Sequence, residues 1–259
     1  MITVVKIGGN IIDRLTDDEA VLQRFVSSLK RLSPPFVIVH GGGKIASELG
    51  KRLGIVPNII SGRRVTDAET LKIVVMTYAG LINKSIVALL QANGIDSIGI
   101  TGADANAIMA DKRPATDIDY GFVGDISNVK TDFLDICFSA GITPVIAPIT
   151  HNGKGLLLNT NADSVAAATA LALARQHQVT LIYCFEKEGV LADSRNDSSV
   201  IDNLNQELYA KLAASGAISD GMSPKLENAF SAKRGGVQNV FICHADAIEN
   251  PASGTTIHL

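Results

Sequence analysis

Residues 37–50 read VIVHGGGKIASELG, an apolar run followed by three adjacent glycines, a lysine and a segment with helical composition. A strand, a glycine turn and a helix form the repeating unit of α/β proteins. Adjacent glycines let a ligand approach the backbone closely, and the helix that follows directs free amides and its positive dipole end at the same point. The stretch therefore predicts a phosphate-binding turn, with a flexible turn that binds nothing as the alternative.

The glycine spacing is that of neither common nucleotide motif. A Walker loop requires G-x-x-x-x-G-K-[ST], and a dinucleotide turn requires G-x-G-x-x-G. Lys44 begins the predicted helix, where its ammonium can simply be solvated, so we assign it no role.

Alternating strand and helix patterns continue along the whole chain. Residues 2–7 form an apolar run that ends at two glycines, and residues 17–32 carry apolar side chains on one helical stripe. The pattern predicts an α/β fold with a mostly parallel sheet shared by both halves. We expect one domain, residues 1–259, with a soft division into lobes 1–155 and 156–259.

Local signals place several helix boundaries. Thr16 with Glu19 and Thr66 with Glu69 have the spacing of capping boxes, and the second opens a long helix that ends near residue 93. A polar, turn-rich stretch between residues 104 and 129 predicts hairpins.

Composition limits the expected partners. The 259 residues carry a net charge of −3 without a basic block, and no tryptophan is present. Nucleic-acid binding needs a clustered positive surface, so we expect none. Small polar metabolites remain the better interpretation.

Cysteine usage and hydropathy indicate a cytoplasmic protein. Cys137, Cys184 and Cys243 are odd in number and stand in apolar contexts, which predicts reduced, buried thiols. The histidines lack metal-ligand spacing, so we expect no protein-bound metal site. No secretory signal opens the chain. The apolar segment 164–174 is shorter than the about 20 residues that span a bilayer, so we expect no membrane contact.

Two lysines stand at positions that favour a nearby anion. Lys6 lies in an otherwise apolar strand, where its ammonium must be exposed or paired. Lys225 follows the proline of SDGMSPKLE (219–227), where we expect Ser223 to cap a helix, and a cation in the first turn opposes the helix dipole. Both positions favour a phosphate-facing lysine. A lysine at the surface edge and one that bends back to solvent are the alternatives.

LLNTNADS (157–164) spaces Asn159, Asn161 and Asp163 two residues apart. At the end of a strand the three side chains would point the same way and form a polar edge. Helix capping by Asn161 or Asp163 is the alternative, and both interpretations can hold together.

SGRRVTD (61–67) places two adjacent arginines before the long helix. Arginine holds carboxylates in a bidentate fork, so the pair indicates a carboxylate ligand. A solvated pair is the alternative.

Taken in order, these motifs resemble the amino-acid kinase superfamily, and within it the branch that phosphorylates N-acetylglutamate in arginine biosynthesis. The resemblance covers nearly the whole chain. Carbamate kinase, glutamate 5-kinase, aspartokinase and uridylate kinase share the fold but fit GRRVTD and LNTNAD less well. The matching motifs are KIGG (6–9), HGGG (40–43), GRRVTD (62–67), LNTNAD (158–163) and SDGMSPK (219–225), with TGADAN (101–106) and DYGFVGDI (119–126).

The resemblance implies a three-layer αβα sandwich and a role for each matched residue. Lys6 and Lys225 would contact the transferring phosphoryl group from opposite sides, and Asp163 would orient them. The acceptor would be held by Gly42, Gly43, Arg64, Asn159 and Asn161. The nucleotide would be bound by Gly8, Gly9, Glu186, Lys187, Gly189, Val190, Leu191, Ile218, Ser219 and Met222. Backbone amides of the glycines would serve phosphate oxygens and the acceptor carboxylate.

The implied reaction uses ATP, with Mg²⁺ held mainly by the nucleotide phosphates, to phosphorylate the γ-carboxylate of an N-acylglutamate. That carboxylate has a pKa of about 4.3 and is already ionised at neutral pH, so no general base is needed. Three alternatives stay open: N-succinylglutamate as the acceptor, another activity of the superfamily, and a non-catalytic nucleotide-binding regulator.

Two positions depart from the superfamily pattern. FEKEG (185–189) has Glu186 where aspartate is typical, with Lys187 beside it, which weakens the expected nucleotide contacts. Arg63 stands where leucine is expected. It is either an exposed arginine or a contact for an additional carboxylate, such as that of a succinyl group.

The resemblance also bears on assembly. The chain begins at its first strand, whereas arginine-inhibited members carry an extra N-terminal helix that links dimers into hexamers. We therefore expect a homodimer, formed through the helix at residues 67–93, without arginine feedback.

Overall fold

The fold is organised around an eight-stranded sheet. It is seen in a computed structural model that describes residues 1–8, 11–12, 19–60, 62–193, 195–216, 218 and 222–259. Thr16 of the first predicted capping box lies outside these residues, as do Gly9 and Ser219.

The strands of the large sheet are mostly parallel, as the sequence predicts. They are β1 (Ile2–Ile7), β2 (Phe36–His40), β5 (Ser97–Ile100), β8 (Thr143–Ile146), β11 (Val179–Phe185), β12 (Asn203–Leu204), β13 (Asn239–His244) and β14 (Thr255–Ile257). Their order is β12-β14-β13-β11-β1-β2-β8-β5, and β13 with β14 is the antiparallel pair. Strand β1 pairs with β2 on one side and with β11 on the other, so both halves of the chain share the sheet.

Seven helices accompany the strands within the described residues. They are α1 (Glu19–Arg31), α2 (Gly43–Arg52), α3 (Ala68–Ala92), α4 (Asp132–Ser139), α5 (Ala162–Ala174), α6 (Gln206–Ala214) and α7 (Ser223–Arg234). Helix α7 begins at Ser223 itself, and Met222 precedes it without a side-chain cap. The predicted cap at Ser223 is therefore wrong, because that residue already has helical backbone geometry.

Apolar side chains fill both faces of the sheet, which gives a three-layer αβα sandwich. Val4 belongs to one cluster, with side chains of α5 and α7, and Val5 belongs to the other, with side chains of α1 and α3. Parallel strands covered on both faces become continuous apolar runs, which is why residues 2–7 are recognisable from sequence.

A smaller sheet confirms the predicted hairpin. Its strands are β6 (Ile108–Lys112), β7 (Gly124–Val129), β9 (Ile149–His151) and β10 (Leu157–Asn159), ordered β10-β9-β6-β7. Strands β6 and β7 pair antiparallel within the stretch predicted to form hairpins. A third sheet pairs β3 (Ile59–Ile60) with β4 (Arg63–Arg64).

Helix α3 differs from its prediction at its start. Asp67 is its N-cap and accepts a hydrogen bond from the Thr70 amide at 2.7 Å. Thr66 is fully buried and bridges to Gly121, so it cannot cap the helix and the predicted Thr66–Glu69 box is wrong. Within α3, Met76–Ile82 is wound as a π-helix.

Helix α3 is also the described helix that is long and apolar enough to cross a bilayer by length and composition. Its buried side chains include Ile73, Ile82 and Leu90, which pack in the core cluster beside α1. Met76 and Leu81 are each 52% exposed. The helix thus has one face in the core and an apolar face outside.

Candidate active site

A buried ion pair lies at the carboxyl end of the central strand. Lys6, the fifth residue of β1, is 6% exposed, and Asp163, in the first turn of α5, is 7% exposed. Lys6 Nζ lies 2.7 Å from Asp163 Oδ1, at an angle outside hydrogen-bond geometry. The lysine ammonium that had to be exposed or paired is therefore paired.

The start of α5 fixes the position of Asp163. Asn161 is the N-cap, and its Oδ1 accepts hydrogen bonds from the amides of Asp163 at 2.7 Å and Ser164 at 3.2 Å. The Tyr183 hydroxyl donates to the Asp163 carbonyl at 3.1 Å. The capping interpretation of Asn161 is confirmed. The strand-end arrangement of all three side chains is wrong, because only Asn159 belongs to a strand.

Lys225 enters the same site from α7. Pro224 occupies the first turn of that helix, where its missing amide costs nothing. Burial lowers the pKa of Lys225, Asp163 opposes that change, and Lys6 and Glu186 also act on it electrostatically. Lysines from β1 and α7 therefore both lie near Asp163 in a partly desolvated site.

The three-glycine turn lies beside the end of β1, because the Gly41 amide donates to the Ile7 carbonyl at 3.3 Å. Gly42 has φ of 146°, and a Cβ there would lie 2.2 Å from Ile82 Cδ1, so only glycine fits. Helix α2 starts at Gly43 with no side-chain cap. Among the described residues no acceptor faces the Gly42 and Gly43 amides. Unpaired amides at the start of a helix are groups that can bind an anion.

Gly8 differs from its prediction. Its amide donates to the Cys184 carbonyl at 3.0 Å, so it does not serve as a free phosphate donor. A Cβ on Gly8 would lie 3.0 Å from that same carbonyl oxygen. Glycine therefore favours the close packing of two strand ends here.

Arg64 is anchored to the glycine turn. One terminal nitrogen donates to the Gly43 carbonyl and to Ser47 Oγ, each at 2.7 Å. The guanidinium also acts on Tyr78: burial raises the pKa of that phenol, and the positive charge of Arg64 partly opposes the rise. Asn159 is 9% exposed and donates from Nδ2 to Thr66 Oγ1 at 3.0 Å.

These groups line a cavity of about 610 Å³. Its lining includes the glycine turn, Arg64, Asn159, Asn161 and Asp163. The charged side chains in the lining are Lys44, Arg63, Arg64 and Arg113 against Asp163 and Glu227. The excess of cations suits an anionic ligand large enough to carry more than one acidic group.

The sequence profile described as the amino acid kinase family matches residues 1–244. The chain belongs to the amino acid kinase family. It is 50% identical over 256 residues to an acetylglutamate kinase of Phocaeicola vulgatus, covering 99% of this chain and 98% of the relative. It is 49% identical over 260 residues to an acetylglutamate kinase of Cytophaga hutchinsonii, covering 98% and 97%.

A solved structure supports the same family fold. The crystal structure of smu.665 from Streptococcus mutans UA159 superposes with a TM-score of 0.81 at 27% identity. The superposition covers 99% of this chain and 98% of the other.

In this member of the amino acid kinase family, the predicted nucleotide segment is only partly accessible. Gly189 and Val190 are buried, and the Val190 amide donates to Thr255 Oγ1 at 2.8 Å. Lys187 pairs with Asp197 at 2.6 Å, which raises its pKa. Ile218 is 9% exposed and belongs to the core. Glu186 and Leu191 retain accessible surface, as does Met222.

Three residues of the site were missed from sequence. Tyr78 and Ser47 hold Arg64, and Arg113 lines the cavity while paired with Asp125. Nothing in the local pattern marks Tyr78, because its position depends on how α3 is wound. Arg113 and Asp125 lie in the stretch predicted to form hairpins, and their opposite charges were the available signal.

Within the described residues, no group of three or more histidine, cysteine, aspartate or glutamate side chains could hold a metal ion. Asp163 is a single carboxylate already paired with Lys6.

Proposed function

We propose that this chain is an ATP-dependent kinase that phosphorylates the γ-carboxylate of N-acetyl-L-glutamate, the second step of arginine biosynthesis. The observation that carries the proposal is the Lys6–Asp163–Lys225 cluster beside a cation-rich cavity. The acetylglutamate kinases of Phocaeicola vulgatus and Cytophaga hutchinsonii support the choice of acceptor.

The reaction joins an oxygen of the γ-carboxylate to the γ-phosphorus of ATP and breaks the bond from that phosphorus to the bridging oxygen, which leaves with ADP. The acceptor is already an anion, so the main barrier is charge repulsion. Lys6 and Lys225 offset that charge, and Asp163 keeps the two ammoniums in place. Mg²⁺ held by the nucleotide phosphates would add further positive charge.

The acceptor and the nucleotide occupy different sides of this cluster in the proposal. Arg64 and Asn159 hold the α-carboxylate and the acylamino group, with Asn161 nearby, and the Gly42 and Gly43 amides face the reacting oxygens. The nucleotide is held near Gly8, Glu186, Lys187, Gly189, Val190, Leu191, Ile218 and Met222, together with Gly9 and Ser219.

The proposed organisation follows the same division. Residues 1–155 form an acceptor-binding and dimerisation lobe, and residues 156–259 form a nucleotide-binding lobe of one domain. The exposed face of α3, which includes Met76 and Leu81, is the proposed homodimer surface. The working location of such a biosynthetic enzyme is the cytoplasm.

An acyl-phosphate trap tests the activity. The purified chain is mixed with MgATP, hydroxylamine and N-acetylglutamate, and hydroxamate is measured. We expect turnover that falls by about 10²-fold or more in Lys225→Ala, because transition-state charge is lost, with nucleotide affinity largely kept. Wild-type protein that binds ATP without forming hydroxamate would favour the regulator instead.

A second acceptor, N-succinylglutamate, is favoured by Arg63. This arginine is exposed and lines the cavity. A succinyl group would bring a third carboxylate that such a cation can bind. In the same assay, Arg63→Leu should reduce turnover with the succinyl acceptor more than with the acetyl acceptor. An unchanged ratio would remove this alternative.

A further inference from the structure

His40 is a buried imidazole that the proposed chemistry does not use. It ends β2, immediately before the three glycines, and is 0% exposed. Its Nδ1 lies 2.8 Å from the Gly41 carbonyl, and its Nε2 lies 3.2 Å from Asn83 Nδ2. Because a carbonyl can only accept, Nδ1 carries the proton and Nε2 accepts from Asn83. Burial lowers the pKa of His40 to about 4, so the ring is neutral at neutral pH.

Asn83 connects this histidine to the rest of the sheet. It is 1% exposed, and its Nδ2 donates both to His40 and to the Val145 carbonyl on β8 at 2.9 Å. Both amide hydrogens are therefore used. A Cβ on Gly99 would lie 1.8 Å from Asn83 Oδ1. The Asn83 amide therefore packs closely against β5, in addition to its contacts with β2 and β8.

The π-helical winding of α3 brings Asn83 to this place. Residues five apart differ by about 140° around an α-helix, whereas i→i+5 hydrogen bonds set them one turn apart. Tyr78 and Asn83 thus face the same side, together with Ile82. Tyr78 and Ile82 contact Gly42, while Asn83 contacts His40. One helical turn therefore contacts both Gly42 and His40, the residue that precedes the three glycines.

We propose that His40 and Asn83 are positioning residues that hold the backbone of residues 41–43 in register with the reacting groups. The inference rests on the proposed kinase function. Glycines have no side chains of their own to fix their place, and the His40–Gly41 hydrogen bond is a side-chain anchor on this turn. A displacement of about 1 Å at a reacting centre can reduce turnover about 10²-fold.

The test compares His40→Asn, His40→Gln and Asn83→Ala. Asparagine can keep the donor to Gly41, and glutamine can keep the acceptor for Asn83. We expect kcat to fall about tenfold or more in Asn83→Ala and His40→Gln, with KM for ATP changed less than about twofold. His40→Asn should retain more turnover than His40→Gln, because it keeps the bond to the turn itself.

Ser28→Ala is the matched control. Ser28 is 1% exposed and its hydroxyl donates to the Asp246 carbonyl at 3.1 Å, away from the glycine turn. The control should lower Tm while leaving kcat unchanged. Variants of His40 and Asn83 that lose Tm but keep kcat would assign these residues a merely structural role and overturn the inference.

Two further outcomes distinguish a failure of this inference from a failure of the proposed function. Wild-type protein that forms no hydroxamate with any N-acylglutamate overturns the proposed function and this inference with it. If Asn83→Ala does not fold, the two conservative histidine variants decide, and equal kcat values in both and in wild type overturn the inference alone.

Discussion

The candidate site contains charged side chains whose burial costs folding stability, namely Lys6, Asp163 and Lys225. Burying an ammonium is costly unless an anion shares its surroundings. Here both lysines lie near one carboxylate, and burial lowers the pKa of Lys225 even with Asp163 nearby. Under the proposed function, these two ammoniums would stabilise the negative charge of the phosphoryl group during transfer.

His40 gives a pH prediction at the same scale. Its pKa is lowered from 6.5 to about 4 in the folded protein, because burial disfavours the charged ring. Above pH 6.5 the ring is neutral in both folded and unfolded chains. As pH falls below 6.5, His40 is protonated in the unfolded chain but not in the folded chain. The free energy of unfolding therefore decreases until the pH reaches the pKa of the folded state.

Between pH 7.5 and 5, this histidine should therefore reduce the free energy of unfolding by about 2 kcal/mol. Urea unfolding at the two pH values measures it. The His40→Asn variant, which has no imidazole at that position, should lose less stability over the same interval. Equal losses in the two proteins would contradict the account of a buried neutral ring.

At the scale of elements, strands and glycine turns could be predicted from sequence because their physical causes are local. A strand covered on both faces is apolar throughout, and adjacent glycines mark a close backbone approach. Lys6 was predictable because a buried cation needs a partner, and Lys225 because a cation in the first turn of a helix opposes the helix dipole. These signals located Lys6, Lys225 and the three-glycine turn from sequence.

Other elements could not be predicted because they depend on contacts between residues that are distant in sequence. Thr66 is of a residue type that often caps helices. Its bridge to Gly121 buries it, however, and Asp67 caps the helix instead. The π-helical turn at Met76–Ile82 leaves no periodicity that distinguishes it from an α-helix. Tyr78 and Asn83 could not be assigned to the site without that winding.

The cap of α3 gives a prediction for a single element. Asp67→Ala should reduce the free energy of unfolding by about 1 kcal/mol, because the Thr70 amide loses its acceptor. Asp67→Ser should retain most of the stability. Chemical denaturation of the three proteins measures the effect. A larger loss in Asp67→Ser than in Asp67→Ala would rule out the capping role.

At the scale of the whole molecule, the outer face of α3 is where assembly is expected. Met76 and Leu81 are each 52% exposed on a helix whose other face lies in the core. Replacing Leu81 by glutamate should shift the protein from dimer to monomer, because a charge would be buried without a partner.

Light scattering coupled to gel filtration measures the mass of the assembly and so distinguishes a dimer from a monomer. Ile136→Glu is a matched control, since Ile136 is 64% exposed on α4, a different helix. It should leave the assembly unchanged. Wild-type protein that elutes as a monomer, or a dimer that survives Leu81→Glu, would place the interface elsewhere or remove it.

The central position of β1 also governs how the chain acquires its structure. Its neighbour β2 is made soon afterwards, but its other neighbour, β11, begins at Val179. At about 5–20 residues per second, a ribosome needs on the order of ten seconds or more to supply that second partner. During that interval one edge of an apolar strand has no native pairing. The nascent chain therefore passes through a period in which a strand that is buried in the native fold can pair with other chains, and chaperone demand should peak before residue 185 emerges.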